Sequence, residues 1–533
     1  MANSLNSELR RRRELLMEEV LNYDLYGKKI YLIGTAEYGP TNEPIRIKST
    51  AGLYNRFGKE GSLIRAFHAL KYTSQDNEVY LVKTTGEFSM AYLNVNLEDD
   101  DIFENAFVFV SSQSNEIFNE IKITIDTDRI WIEYPDDLNI RDHIQTFMYD
   151  DYPTISELAE AINKKTDKRN GFLYAHYDVD SSIRTHTAFY CCNPTEIYLF
   201  GGQCGLDYSK NLLYNCLQKT YSLIESYDID IIVPVEAYID DVYPDDAEDT
   251  EWQYNMKYYQ STKDYLTEDM FGRQRSFLNQ LINFCVIQNE FGLVTTGIMG
   301  FAPTHDYESD YLSEADDIAV MWRHALEYNL SCCDLPSYSF LISIVGGDLK
   351  YNQGVIIDNG YLAYAALCAD TQIIQGTTNV PLKTSIAIYN EFSEETLKDL
   401  ADSQIVAFRH SPLYNAPVVY DGLVLQGPKD RGLTNFANIR MIQICMSYMT
   451  RLFNNYIGED MVNLIENHIL KDDLEKLLFN IKSKGIISEF AFELKPDYIH
   501  GRLTVFLTLQ TVYMTEAVKL CTVMEITTET DYE

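Results

Sequence analysis

The sequence holds only 14 prolines and 26 glycines in 533 residues, too few for a collagen-like or flexible-linker protein. It lacks any run of 18 or more apolar residues, so no membrane-spanning helix is expected. The nearest candidate, from Phe277 to Ala302, is broken by Asn279, Gln280, Asn283, Gln288, Asn289 and Glu290. It reads as a buried helix followed by a strand. The N-terminus carries arginines without the apolar core and cleavage site of a secretory signal. No C-x-x-C occurs among the 10 cysteines, which excludes a thioredoxin-type motif and paired zinc ligands. Two adjacent pairs, Cys191–Cys192 and Cys332–Cys333, are read with the rest as reduced, mostly buried thiols.

Basic residues are also scarce. Lys and Arg total 43 against 80 Asp and Glu, for a net charge of −37. Such a field repels nucleic acid and anionic membrane, so neither nucleic-acid binding nor membrane insertion is expected. The run Arg10, Arg11, Arg12 and Arg13 is the local exception, read as a solvated or subunit-contacting helix face.

Catalytic signatures are missing. There is no G-x-x-x-x-G-K-[ST] phosphate cradle, no H-E-x-x-H and no G-x-S-x-G nucleophile elbow. Gly201-Gly202-Gln203-Cys204-Gly205 has the place of a phosphate loop but neither its lysine nor its spacing, and reads as a tight strand-to-helix turn. Thr304-His305-Asp306 offers one imidazole and one carboxylate, with no second pair at metal spacing. The expectation is no enzyme, cofactor or metal. A hydrolase would need a nucleophile and a base converging at the strand ends near 201, 236, 301 and 346.

What is present is ordinary globular material, 46% apolar and 23% charged, enough for about three or four domains. Residues 1–27 form an arm in which Leu5, Leu9, Leu16, Val20 and Leu21 fall near helical spacing. Residues 28–86 read as strand (Lys29–Thr35), helix (Gly61–Tyr72) and strand (Glu78–Lys83). Residues 87–194 form an inserted, mainly β domain, with strands at Ala91–Leu97, Ala106–Ser111, Ile121–Ile125 and Ile130–Tyr134 and one helix, Ile155–Lys164.

Residues 195–410 alternate buried strands (Glu196–Phe200, Asp228–Val235, Val294–Gly300, Ser337–Val345) with helices near 209–226, 271–290, 314–328 and 361–370. That alternation predicts a central, largely parallel α/β domain, with an acidic loop over 240–268. Residues 411–533 form a C-terminal α+β domain. Asp421-Gly422 is a hairpin signal, Ile439, Ile442, Met446, Met449 and Phe453 mark an amphipathic helix, and a second helix spans about 461–482. Strands near 486–494, 502–513 and 517–526 follow. The fold class is thus α/β plus α+β, multidomain, with terminal arms. No internal repeat is apparent.

Several segments, in order, resemble the tail sheath proteins of contractile phage tails and related injection machines. They are KIYLIGTAEYGPTNEP (Lys29–Pro44) with the Ile-Arg-Ile strand, LYNRFG (Leu53–Gly58) and NEVYLVKT (Asn77–Thr84). PTISELAEAIN (Pro153–Asn163) and Phe200–Asp241, ending in YDIDIIVPVEAYIDD, come next. The last is Gly432–Glu525, with Leu433-Thr434-Asn435, Ile439-Arg440-Met441-Ile442, FNNYIG and IISEFAFEL. Each piece is weak alone, and the colinear order over roughly 29–533 carries the resemblance. The chain departs from the family in beginning with a helical rather than an extended arm.

The resemblance implies a structural subunit forming hexameric rings in a helical stack around an inner tail tube, between baseplate and tail terminator proteins. The stack contracts to drive the tube through a host envelope. A terminator or baseplate ring of the same build is the alternative, and an acidic hydrolase the remote one. The expected location is the virion tail, after assembly in the host cytoplasm. Two sets of residues fit this role. Val518, Leu520, Met524 and Ile526 alternate on a terminal strand that can complete its own sheet or add to a neighbour's. Lys471, Lys476, Lys482 and Lys484 lie on or after a C-terminal helix and are candidates to face the tube. Arg10–Arg13 are candidate arm contacts.

Overall fold

The structure, a computed structural model, describes residues 11, 14–21, 28–84, 90–96, 106–138, 140–177, 181–189, 195–202, 210–235, 237–239, 276–301, 315–331, 333–351, 356–389, 391–425, 435–457, 461–498, 502–511 and 518–525. The acidic stretch 240–268, His305, Cys191, Cys192 and Ile526 lie outside them, as do Leu5, Leu9, Arg10, Arg12 and Arg13.

The apolar runs form the central sheet because they are buried on both faces, as a helix-covered parallel sheet requires. Its order is Ile405–Val406, Ile342–Val345, Thr296–Phe301, Ile231–Pro234, Lys29–Gly34, Glu78–Lys83 and Ile45–Ile47, with Tyr238–Ile239 also pairing Thr296–Phe301. All these pairs are parallel except the edge pair, Ile45–Ile47 with Glu78–Lys83. Residues 28–84 thus share one sheet with later strands.

Alternate residues face opposite cores. Ile30, Leu32, Ile231 and Val233 pack under helices Ser62–Thr73 and Gly360–Asp370. Tyr31, Ile33 and Ile232 pack with Leu217, Leu281, Trp322 and Leu400 of four helices on the other side. The helix Gly360–Asp370 is buried on every face but its last residue. Gly300 permits its approach, since a Cβ there would sit 2.5 Å from the Tyr361 ring.

The β-rich insert contains two small sheets. One runs Thr195–Tyr198, Lys122–Ile125, Arg129–Glu133, Ile144–Met148, and the other Tyr92–Asn96, Ala106–Ser111, Leu173–Tyr177. The helix Ile155–Asp167 closes their shared core through Ile155, Leu158 and Ile162. It starts with a capping box, in which Thr154 Oγ1 accepts from Glu157 N while the Glu157 carboxylate accepts from Thr154 N, satisfying two donors a helix start leaves free.

Several elements differ from the sequence reading. Glu196–Phe200 is not a central strand. Its Glu196, Tyr198 and Phe200 are exposed between Ile197 and Leu199, a half-buried alternation, and it pairs antiparallel with Lys122–Ile125 in the insert. Ser337–Val345 is strand only from Ile342, because Pro336 opens a 3-10 turn through Leu341. Leu53–Gly58 is itself helical, within Thr50–Phe57, and Gly58 at φ +87° ends it.

Asp421-Gly422 makes no hairpin. Thr378 holds that turn, donating from Oγ1 to Asp421 Oδ1 and accepting from Gly422 N. The hairpin is instead Phe408–Ser411 with Ala416–Val419. The helix expected over 461–482 is two, Met461–Glu466 and Ile469–Ser483, broken where His468 turns left-handed at φ +57°. Strands Ile144–Met148 and Leu173–Tyr177 were not anticipated.

Candidate assembly interface

The C-terminal unit is organised by the helix Phe436–Asn454. Its start is capped by Asn435 Oδ1, which accepts from Ala437 N. One stripe, including Ile444, Tyr448, Leu452 and Phe453, packs with the helix Ile469–Ser483 and the terminal sheet.

Another stripe is polar and joins the central sheet. Arg440 donates from Nη1 to Cys368 O at 3.1 Å. Gln443 Nε2 donates to Asn289 Oδ1 and Thr295 O, while its Oε1 accepts from Thr296 Oγ1. Ser447 donates to Gly292 O. Arg440, Gln443 and Ser447 are all buried. Their spacing of three and four residues was the signal for this seam, hidden because the apolar stripe dominates the segment. Nearby, burial raises the Asp230 carboxyl above its ordinary range, opposed by the Arg440 charge and the hydrogen bond from Lys29 N.

The N-terminal helix, 14–21, packs on the same unit. Leu16, Met17 and Val20 join its core, Arg451 bridges Glu19 at 2.5 Å, and Asn480 Nδ2 reaches Met17 O. Arg11 is exposed.

The terminal sheet runs Ile487–Asp497, Arg502–Thr511, Val518–Glu525, all antiparallel. In the middle strand Leu503, Val505, Leu507 and Leu509 are buried, alternating with half-buried Thr504, Phe506 and Thr508. Val518 stands opposite Leu509, Leu520 opposite Leu507 and Met524 opposite Leu503. In the single chain the terminal strand thus pairs in cis.

The lysines do not form one cluster of equivalent groups. Lys471, Lys476 and Lys482 are exposed and Lys484 is half-buried. None makes an ion pair among the described residues. Between Lys476 and Lys482, one turn from each, the Phe479 ring is 64% exposed. Sequence reasoning passed over this phenylalanine because the helix pattern makes it look like one more core residue.

Of the strand ends named for a hydrolase, Phe301 stacks on Trp322 with centroids 5.0 Å apart, and Gly346 lies against the same indole. The sheet's crossover point, after Lys29–Gly34 and Ile231–Pro234, is filled. Thr35 N donates to Ser62 Oγ at 2.9 Å, Ser62 N donates to Thr35 Oγ1, and Val235 closes over Gly34. The Gly201-Gly202 turn lies on the insert, where Gly202 N donates to Asn119 Oδ1 and Asn119 Nδ2 to Gly202 O. No group of three metal-ligating side chains occurs among the described residues, and no described helix is long and apolar enough to cross a membrane.

No protein-family model matches the chain. No curated protein matches it. Among solved structures, a sheath tail protein from Listeria innocua aligns over 97% of this chain and 99% of its own, with TM-score 0.51 and 12% identity. The chain has the fold of a tail sheath protein. A second sheath tail protein, from Desulfitobacterium hafniense, aligns over 94% and 98% with TM-score 0.49 and 10% identity. The contracted helical sheath of the anti-feeding prophage aligns over 62% and 77% with TM-score 0.35 and 11% identity. The assignment of the sheath fold rests on the first, which aligns over nearly the whole of both chains.

Proposed function

We propose that this chain is the structural subunit of a contractile tail sheath. The observation that carries the reading is a likeness of fold over nearly the whole of both chains, joined to the colinear motifs of the sequence. In this reading subunits form sixfold rings that stack helically around an inner tube, bounded by baseplate and terminator proteins, in the virion tail. A heterologous contact that does not close on itself gives such a stack. Contraction is a rigid-body rearrangement out of a kinetically trapped state and drives the tube through the host envelope. It draws on no nucleotide.

Three surfaces serve the assembly. The terminal strand, with Val518, Leu520, Met524 and Ile526, leaves its own sheet and completes a neighbour's, keeping subunits tethered while their bodies rotate. What supports this is its edge position among the described strands, beside Arg502–Thr511. Lys476 and Lys482, with Lys471 and Lys484 beside them, face the tube. Surface ion pairs are individually weak, which lets the sheath slide, and the exposed Phe479 adds a contact that salt does not screen. Arg10–Arg13 extend the arm toward an adjacent subunit.

Electron microscopy of the purified full chain, alone and with its tube protein, at low and high salt, tests the reading. Hollow cylinders of stacked rings are expected. Single closed rings would move the assignment to a terminator or baseplate component, and a chain that stays monomeric even with the tube protein would overturn it.

A further inference from the structure

The insert's four-stranded sheet has two open edges. Its order is Thr195–Tyr198, Lys122–Ile125, Arg129–Glu133, Ile144–Met148, every pair antiparallel. In such a sheet, alternate residues turn their N–H and C=O groups toward one neighbour or the other. On one edge, Tyr134 N donates to His143 O and Tyr149 N to Asp128 O. Odd-numbered residues there bond inward, and Ile144, Thr146 and Met148 turn outward. Met148 O is taken by Asp151 N and Tyr152 N, whereas Ile144 and Thr146 meet no outward backbone partner among the described residues. On the other edge, Leu199 N donates to Ile121 O, which turns Glu196 and Tyr198 outward. They too meet no backbone partner among the described residues, and Phe200 beyond them is closed by Tyr92.

Natural sheets blunt open edges with prolines, bulges or charges. The strand Ile144–Met148 reads IQTFM, with no proline, glycine or charge. On the face turned away from the insert's core, one row across the sheet is Tyr198, Lys122, Glu133, Ile144. Its middle is an ion pair, Lys122 Nζ to Glu133 Oε2 at 3.8 Å. Its ends are the two most exposed large apolar side chains described in the insert, Ile144 at 62% and Tyr198 at 55%. The next row ends in Thr146 and Glu196, both exposed.

Four antiparallel strands are an even number, so the two edge strands run in opposite directions. A second copy displaced along the hydrogen-bonding direction therefore presents its Thr195–Tyr198 antiparallel to Ile144–Met148, and outward groups meet outward groups. Carrying the rows across sets Ile144 opposite Tyr198 of the next copy, and Thr146 opposite its Glu196. We propose that the insert pairs head to tail with the insert of a second copy of this chain, Ile144–Met148 against Thr195–Tyr198, continuing one sheet from subunit to subunit. Pairing Ile144–Met148 with itself on a two-fold axis would leave Tyr198 uncovered, whereas the head-to-tail contact covers both rims. The contact is heterologous and does not close on itself. Two rungs are a small contact, made effective where neighbours are already held close, and to that extent the inference rests on the sheath reading.

The test is disulfide trapping in the full chain, with Ile144→Cys alone, Tyr198→Cys alone and both together. Oxidation with copper phenanthroline is run on assembled cylinders and on concentrated free chain in high salt, which screens the repulsion between acidic chains. Opposed residues of a hydrogen-bonded pair lie about 5.5 Å apart at Cα, within disulfide reach. Mixing the two single variants should give a linked dimer above the wild-type background, and the double variant a ladder of higher oligomers. Both positions are exposed, so thermal midpoints should hold. Thr146→Glu, set opposite Glu196, should lower the yield of mixed dimer roughly two- to fivefold, and Thr146→Lys should not. Ile144→Cys linking to itself as readily as to Tyr198→Cys would mean a two-fold edge and overturn the inference, as would no mixed dimer above background. Cylinders without mixed dimers would leave the sheath reading standing, and mixed dimers without cylinders would leave the insert pairing standing alone.

Discussion

Gln443 sits where three donors and acceptors of the central unit converge: Asn289, Thr295 O and Thr296. Removing one partner of a buried network leaves the others without water or protein. Gln443→Ala should therefore cost about 2–4 kcal/mol, read as a lowered urea midpoint, whereas the exposed Lys476→Ala should change it by less than about 0.5 kcal/mol. Asp230 gives a pH signature. Its carboxyl is raised in the folded chain by burial, so the native state holds its proton to higher pH than the unfolded chain. Its contribution to stability is complete below the ordinary value of 3.8 and is lost as pH rises through the folded value. Stability of the wild type relative to Asp230→Asn should thus fall from pH 4 upward, and a flat difference between the two denaturation series would refute this.

At the scale of elements, the sequence was most legible where burial is total and the pattern long. Ile231–Pro234 and Thr296–Phe301 are legible because parallel strands covered on both faces are buried at every position. Legibility failed where a long-range partner decides. Only Lys122–Ile125, some seventy residues earlier, makes Glu196–Phe200 a strand of the insert, and Thr378 pulls Asp421-Gly422 away from a hairpin. Of the candidate site, the presence of the terminal strand could be read, while Phe479 and the Gln443 seam could not, since exposure and cross-unit hydrogen bonds are properties of the packed chain. The insert's helix offers a local test. Thr154→Ala removes the side-chain half of the capping box and should cost about 1 kcal/mol, seen as roughly fivefold faster hydrogen exchange in 155–167 with the central sheet unchanged.

For the whole molecule, the proposed assembly separates stability from polymerisation. Deleting residues 516–533 removes an edge strand but none of the buried middle strand, so the chain should still unfold cooperatively while losing the ability to form cylinders by electron microscopy. Cylinders of normal length from the truncated chain would remove strand exchange from the mechanism. Lys476→Glu with Lys482→Glu should leave free-chain stability within about 0.5 kcal/mol. It should reduce sheath-on-tube assembly most at low salt, where screening is least.

The contact between the N-terminal helix and the C-terminal unit spans 463 residues, from Met17 to Asn480. On a ribosome adding about 5–20 residues per second, Leu16, Met17 and Val20 wait roughly half a minute or more for their partners to emerge. Their apolar face is open through most of translation, a time when nascent neighbours on one messenger are close together. The unit that carries the terminal strand and the lysines is therefore completed only after Ile469–Ser483 and the strands beyond it have emerged, so a half-made chain lacks the strand it would exchange.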